Sequence, residues 1–138
     1  MNAIILDLDD TLILEWQSAR DAFAEMIHSF KTEINKDIFI VTIREEAKNL
    51  WYGLPTIEYC LKIRVSSWEA LWADFEGNDE NIQQFRQLSG EYRQNVWHNA
   101  LKKFNISDPH IAYELAEKFK NIRNLKHALF PDTILCLE

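Results

Sequence analysis

The hydrophobic pattern divides the chain into a short uninterrupted apolar run, a long body with helical spacing and a brief apolar tail. The run is Ile4, Ile5 and Leu6 within residues 3–8, the pattern of a strand buried on both faces of a parallel sheet. Such a strand needs neighbours. From Glu15 the period changes: Trp16, Ala19, Phe23, Met26, Ile27 and Phe30 recur at three- and four-residue steps, predicting a helix that ends between residues 31 and 35. A second helix is expected over residues 37–51, capped by Asp37 and stopped at Gly53, against the β propensity of the IFIVT stretch at residues 38–42.

Further along, Pro55 suits the first turn of a short helix through Tyr59 and Leu61. Ser66 or Ser67 caps another helix carrying Trp68, Leu71, Trp72 and Phe75. EGNDEN at residues 76–81 reads as a polar connection. Asn78 or Asp79 starts the next helix through Phe85, and Ser89 caps a longer one with Tyr92, Val96, Trp97, Ala100, Leu101 and Phe104. Asp108 and Pro109 are the N-cap and first residue of a final long helix to about Lys126, and Pro131 opens the segment PDTILCLE. The sum is roughly six or seven helices of average size and one buried-type strand. Its sheet partners would lie in TILCL, in IFIVT, on another chain, or in sequence outside this one.

The end of that strand carries the chemistry. MNAIILDLDDTLI places Asp7, Asp9 and Asp10 where an apolar strand stops, and a buried unpaired charge costs several kcal/mol. Residues two apart on a strand share a face, so Asp7 and Asp9 converge if the strand geometry persists. Two close carboxylates resist joint ionisation unless a cation lies between them, which points to Mg²⁺ with oxygen ligands. At the C-terminal end of a parallel strand, one carboxylate can attack phosphorus while the other moves a proton. The bland alternative is an acidic turn, for Asp favours turns and caps. Asp10 reads as a solvated or capping residue.

Composition narrows the class. The 138 residues are 47% hydrophobic and 12% aromatic, enough for one domain with a real core. A net charge of −7 and a pI near 5.1 disfavour nucleic acid and anionic membranes as partners. Cys60 and Cys136 match no paired-ligand spacing and read as thiols, and the apolar run before Asp7 is too short for a leader or a membrane span, so the cytoplasm is the expected location. The tryptophans at helical spacing, Trp16, Trp51, Trp68, Trp72 and Trp97, are expected in the core rather than in a substrate pocket. Arg44 and Arg93 are expected as surface ion-pair partners, although either could meet an anionic substrate. The four histidines show no metal-ligand spacing.

DLDDTL at residues 7–12, preceded by Ile4, Ile5 and Leu6, resembles the first motif of the haloacid dehalogenase-like (HAD) hydrolases. The resemblance implies a Rossmann-like α/β core with a helical cap, Asp7 as nucleophile, Asp9 as general acid/base, and Thr11 at the motif's hydroxyl position, a possible phosphate contact. It implies Mg²⁺ held by the Asp7 carboxylate and the Asp9 backbone carbonyl, and a small phosphate monoester as substrate. Residues 1–13 would be the first core strand with its motif, 14–127 the helical cap, and 128–138 the return to the core, since FPDTILCLE resembles the helix that leads to the second strand. On that division this chain is mostly α and its core incomplete, because the family's second, third and fourth motifs would fall beyond Glu138. A rival placement makes IFIVT with Thr42 the second motif, which requires Thr42 beside Asp7 rather than on a helix. The expected activity is an aspartyl-phosphate phosphatase, slow without those motifs. The alternative is a non-catalytic helical protein that uses a remnant of the fold to bind partners or to self-associate through its lone strand.

Overall fold

In the computed structural model, which describes residues 4–28 and 34–138, six α-helices account for most of the chain. They are α1 (Glu15–His28), α2 (Lys36–Trp51), α3 (Ile57–Lys62), α4 (Glu80–Lys102), α5 (Pro109–Leu125) and α6 (Thr133–Leu137), with a 3-10 turn at Glu69–Leu71. The mostly helical character expected from the pattern is what the structure has. Phe30 and the predicted end of the first helix lie outside the described residues.

The long helices close a ring: α1 packs on α2, α2 on α4, α4 on α5, and α5 back on α1. Each turns an apolar stripe inward. Phe23 of α1 stands at the centre, with its ring centroid 4.6 Å from Phe119, 5.9 Å from Trp97 and 6.2 Å from Phe39, so one side chain touches the other three helices. All four rings are buried. A buried aromatic contributes about 1.5–3 kcal/mol through lost water contact, so this cluster outweighs any single surface pair in holding the ring together.

Local signals explain most of the boundaries. The Asn35 side chain accepts the Ile38 N–H at 3.1 Å and caps α2, two residues before the predicted cap Asp37, so the helix begins one residue early at Lys36. IFIVT is helical because Phe39, Ile40, Ile43 and Ala47 share one buried face, and packing overrides their β propensity. Thr42 therefore sits on α2, its hydroxyl donating to the Ile38 carbonyl, which rules out the rival second motif by its own criterion. Asp108 and Pro109 open α5 as predicted, the carboxylate accepting the His110 N–H at 2.8 Å.

Two expectations are corrected, and the alternatives for the sheet partner narrow. Ser89 does not begin a new helix: α4 runs unbroken from its Asp79 cap, since Phe85, Ser89, Tyr92, Val96 and Ala100 form one continuous buried stripe. Of the candidate sheet partners TILCL, like IFIVT, is helical, as the resemblance of FPDTILCLE to a proline-started helix implies. Residues 4–8 carry no strand ladder, and Ile4 and Ile5 are 85% and 95% exposed, because an apolar strand without neighbours has nothing to pair with. Among the described residues the only β-type pairings are the isolated bridges of Asp9 with Ile13 and of Ile13 with Leu129.

Candidate active site at the acidic turn

The chain reverses directly behind Asp9. The Leu8 carbonyl accepts the N–H groups of Thr11 (3.4 Å), Leu12 (2.9 Å) and Ile13 (3.0 Å), and the Asp10 N–H donates to the Ile13 carbonyl at 2.8 Å. Asp10 completes the reversal with φ at 56°, a left-handed conformation that Asp tolerates better than most residues. Asp10 is exposed, in keeping with its reading as a solvated residue, and it is in addition the turn former. Residues 4–8 form no strand, so Asp7 and Asp9 are presented by an irregular segment and the turn that follows it rather than by a sheet. Both carboxylates are exposed, as is Thr11.

What anchors this turn is the far end of the chain. The Leu14 N–H donates to the Ala128 carbonyl (2.8 Å) and the Phe130 N–H to the Leu12 carbonyl (3.3 Å), which also accepts the Thr133 hydroxyl at 2.8 Å. The Ser18 hydroxyl ties the pair to α1, donating to the Leu14 carbonyl and accepting the Ala128 N–H, each at 2.8 Å. The helical body therefore leaves the acidic turn and returns to it through two adjacent antiparallel stretches, residues 12–14 and 128–130. Ile13, buried, plugs the crossing.

The body contributes further charge. Glu69, on the 3-10 turn, is half-buried; burial pushes its carboxyl above the ordinary range, and the negative charges of Asp9 and Glu15 add to that rise. Glu15 is held by two donors, the indole N–H of Trp68 at 3.2 Å and the Arg123 guanidinium at 2.6 Å. Arg123 is fully buried, stacked 4.4 Å above the Trp72 ring, and its Nη1 lies 3.5 Å from His127 Nδ1. A buried cation so paired is costly to disturb, so it fixes Glu15 at the base of α1.

The sequence reading singled out neither Glu69 nor Arg123, but both leave a trace there. Ser66 and Glu69 have capping-box spacing, and the Ser66 hydroxyl accepts the Glu69 N–H at 3.1 Å. Arg123 falls on the stripe of Ala112, Leu115, Ala116 and Phe119, where a charge must find a buried partner. Arg93 lies likewise on the α4 stripe and, contrary to the surface role expected of it, is buried, donating to the Ala70 and Ala73 carbonyls at 3.0 and 2.8 Å. Trp51 and Trp97 are core residues as expected, whereas Trp16 is 46% exposed.

The donor chemistry of the turn suits a hard cation. It offers the carboxylates of Asp7 and Asp9 and the Asp9 carbonyl, which no described backbone N–H engages. No group of three or more His, Cys, Asp or Glu side chains among the described residues is arranged to hold a metal ion. Mg²⁺ does not require one, since it is commonly bound through one or two carboxylates and keeps several waters or phosphate oxygens. Among the described residues no helix is long and apolar enough to cross a membrane. Comparison with protein-family models, with curated proteins and with solved structures gives no match in any of the three.

Proposed function

We propose that the acidic turn is the nucleophile motif of an HAD-like phosphatase and that the helical ring is its cap. The single observation that carries this reading is the paired exit and return at residues 12–14 and 128–130, the arrangement expected if residues 14–127 are a cap inserted at the motif. The helix that follows Pro131, α6, agrees with a return toward an α/β core of Rossmann-like ancestry.

In this reading an Asp7 carboxylate oxygen attacks the phosphorus of a small phosphate monoester. The ester bond breaks and the leaving oxygen takes a proton from Asp9. Asp9 then draws a proton from water as that water attacks phosphorus, releasing phosphate and restoring Asp7. Asp7 and the Asp9 carbonyl would hold Mg²⁺, which supplies charge neutralisation between carboxylates and phosphate. Thr11 is the candidate phosphate contact. Turnover is expected to be slow, because residues 1–138 offer no counterpart of the family's later phosphate-binding and lysine motifs, and such electrostatic contributions are commonly the largest in catalysis.

The test is hydrolysis of p-nitrophenyl phosphate with and without Mg²⁺ by the wild-type chain, Asp7→Asn and Asp9→Asn. Both positions are exposed, so neither change should unfold the protein. Slow Mg²⁺-dependent release that both substitutions abolish is expected, with phosphate trapped on the Asp7 peptide after acid quench. Equal rates for wild type and Asp7→Asn overturn the reading. They would leave a non-catalytic interaction protein, which the exposure of Ile4 and Ile5 independently favours.

A further inference from the structure

Arg44 lies on the outer face of α2, where the sequence led us to expect a surface ion pair. It has none among the described residues. Its guanidinium carbon instead stands 5.2 Å from the centroid of the Trp16 ring and 5.1 Å from that of Trp68, both within cation–π range. The two indoles are positioned independently of the arginine: Trp16 by the first turn of α1, and Trp68 by its N–H bond to Glu15 at 3.2 Å. An arginine set against aromatic rings spends none of its N–H groups on an acceptor, and no described residue supplies one to Arg44. The guanidinium edge is the geometry that takes a carboxylate through two parallel hydrogen bonds.

Around it lies an open cleft of about 390 Å³, walled by Trp16, Val41 and Trp68, with Lys48 beside Arg44 and Glu45 as the one acid. Val41, Arg44, Glu45 and Lys48 fall at i, i+3, i+4 and i+7, so α2 presents them along one side. The volume falls within the range of small-molecule sites, roughly 300–1,000 Å³. Two cations against one carboxylate give the cleft a local positive excess on a chain whose net charge is −7. Half-exposed tryptophan and valine surface beside unpaired cations is costly in water and suits a ligand that is anionic at one end and apolar in its body.

We propose that this cleft binds a small organic monocarboxylate with an aromatic or apolar body, its carboxylate on the edge of Arg44 and its body between Trp16 and Val41. The site does not depend on the role given to Asp7 and Asp9. The turn connects to it through the Glu15–Trp16 step at the start of α1 and the Trp68–Glu69 step, where one residue faces the cleft and the next feels the charge of Asp9.

The experiment is titration of the whole chain with benzoate, with benzamide as a neutral isostere and inorganic phosphate as an anion without a body. Indole and arginine side-chain NMR signals serve as the readout. Saturable benzoate binding that moves the Trp16 and Trp68 indole signals is expected, with weak or no response to benzamide and phosphate. Arg44→Gln should weaken benzoate about tenfold or more, the scale of losing a charge-assisted bidentate pair. Trp16→Leu should weaken it too, while the backbone spectrum keeps its dispersion. Arg44 is exposed, so the substitution tests binding and not folding. Equal binding of benzoate and benzamide, unchanged affinity in Arg44→Gln, or no saturation by benzoate overturns the proposal; a stronger response to phosphate would replace it with a plain anion site.

Discussion

Glu69 is the side chain on which the fold and the acidic turn act together. Burial and the charges of Asp9 and Glu15 raise its pKa above the ordinary glutamate range. A carboxyl that binds its proton more tightly when folded costs no stability below the unfolded pKa. The penalty grows as pH rises from that value through the raised folded one, and it is fully present above both. Glu69→Gln should therefore stabilise the protein against urea at pH 7 and lose that advantage near pH 4, where both forms are largely neutral. Urea unfolding at the two pH values checks it, and a benefit that persists at low pH would show that charge is not the cause. Since Asp9 is one source of the raised pKa, Mg²⁺ at the turn should shrink the benefit at pH 7. At this scale the candidate site was only partly legible: the acids of the turn stand out in DLDDT, but Glu69 lies far from it in sequence and is brought near only by the packing of Trp68 and Glu15. Strand alternation is not what positions Asp7 and Asp9, because residues 4–8 form no strand and the three hydrogen bonds to the Leu8 carbonyl begin a turn there.

Helices were legible where the stripe and the cap agree, as in α5 with Asp108, Pro109 and the run from Ala112 to Phe119. They were misread where a cap residue lies inside a continuous stripe. Ser89 looks like an N-cap, yet its hydroxyl donates to the Arg86 carbonyl at 2.9 Å within α4, and burial of the stripe on both sides keeps the helix intact. Gly90 tests that continuity. A Cβ added there meets nothing within 4 Å, and the residue lies mid-helix at ordinary φ. Gly90→Ala should stabilise the protein by about 1 kcal/mol, the helix-propensity difference, and raise the melting temperature by about 2–5 °C. Thermal unfolding followed by circular dichroism measures it. A loss of stability would mean that the chain bends at residues 89–90, as the isolated Ser89 signal suggested. The strand at residues 3–8 failed for a different reason: its pattern states what its faces require, not whether the chain supplies a sheet to meet that need.

At the scale of the whole molecule, the exposed apolar surface is uneven. Ile4 and Ile5 precede the acidic turn and Ile134, Leu135 and Leu137 follow the return stretch, so two solvated apolar segments adjoin the same crossing, whereas the exposed apolar side chains of the long helices, such as Val41 and Tyr113, are scattered. Ile5 and Leu135 are 95% and 77% exposed. Leaving such side chains in water forgoes about 1.5–3 kcal/mol each relative to burial, which is ample to drive association when several adjoin. The chain should therefore self-associate through this end, with residues 4–7 offering unpaired backbone groups to a second copy. Sedimentation across a dilution series should show a mass that falls with concentration, and Ile5→Lys combined with Leu135→Glu should abolish the change. Since both positions are solvated, the pair should leave the melting temperature nearly unaltered, which separates lost association from lost folding. A wild-type chain that stays monomeric at its highest attainable concentration would show that water alone satisfies this end. Association would still leave the catalytic reading to be decided at Asp7, because a copy that pairs with residues 4–7 supplies a strand neighbour and no new phosphate-binding group.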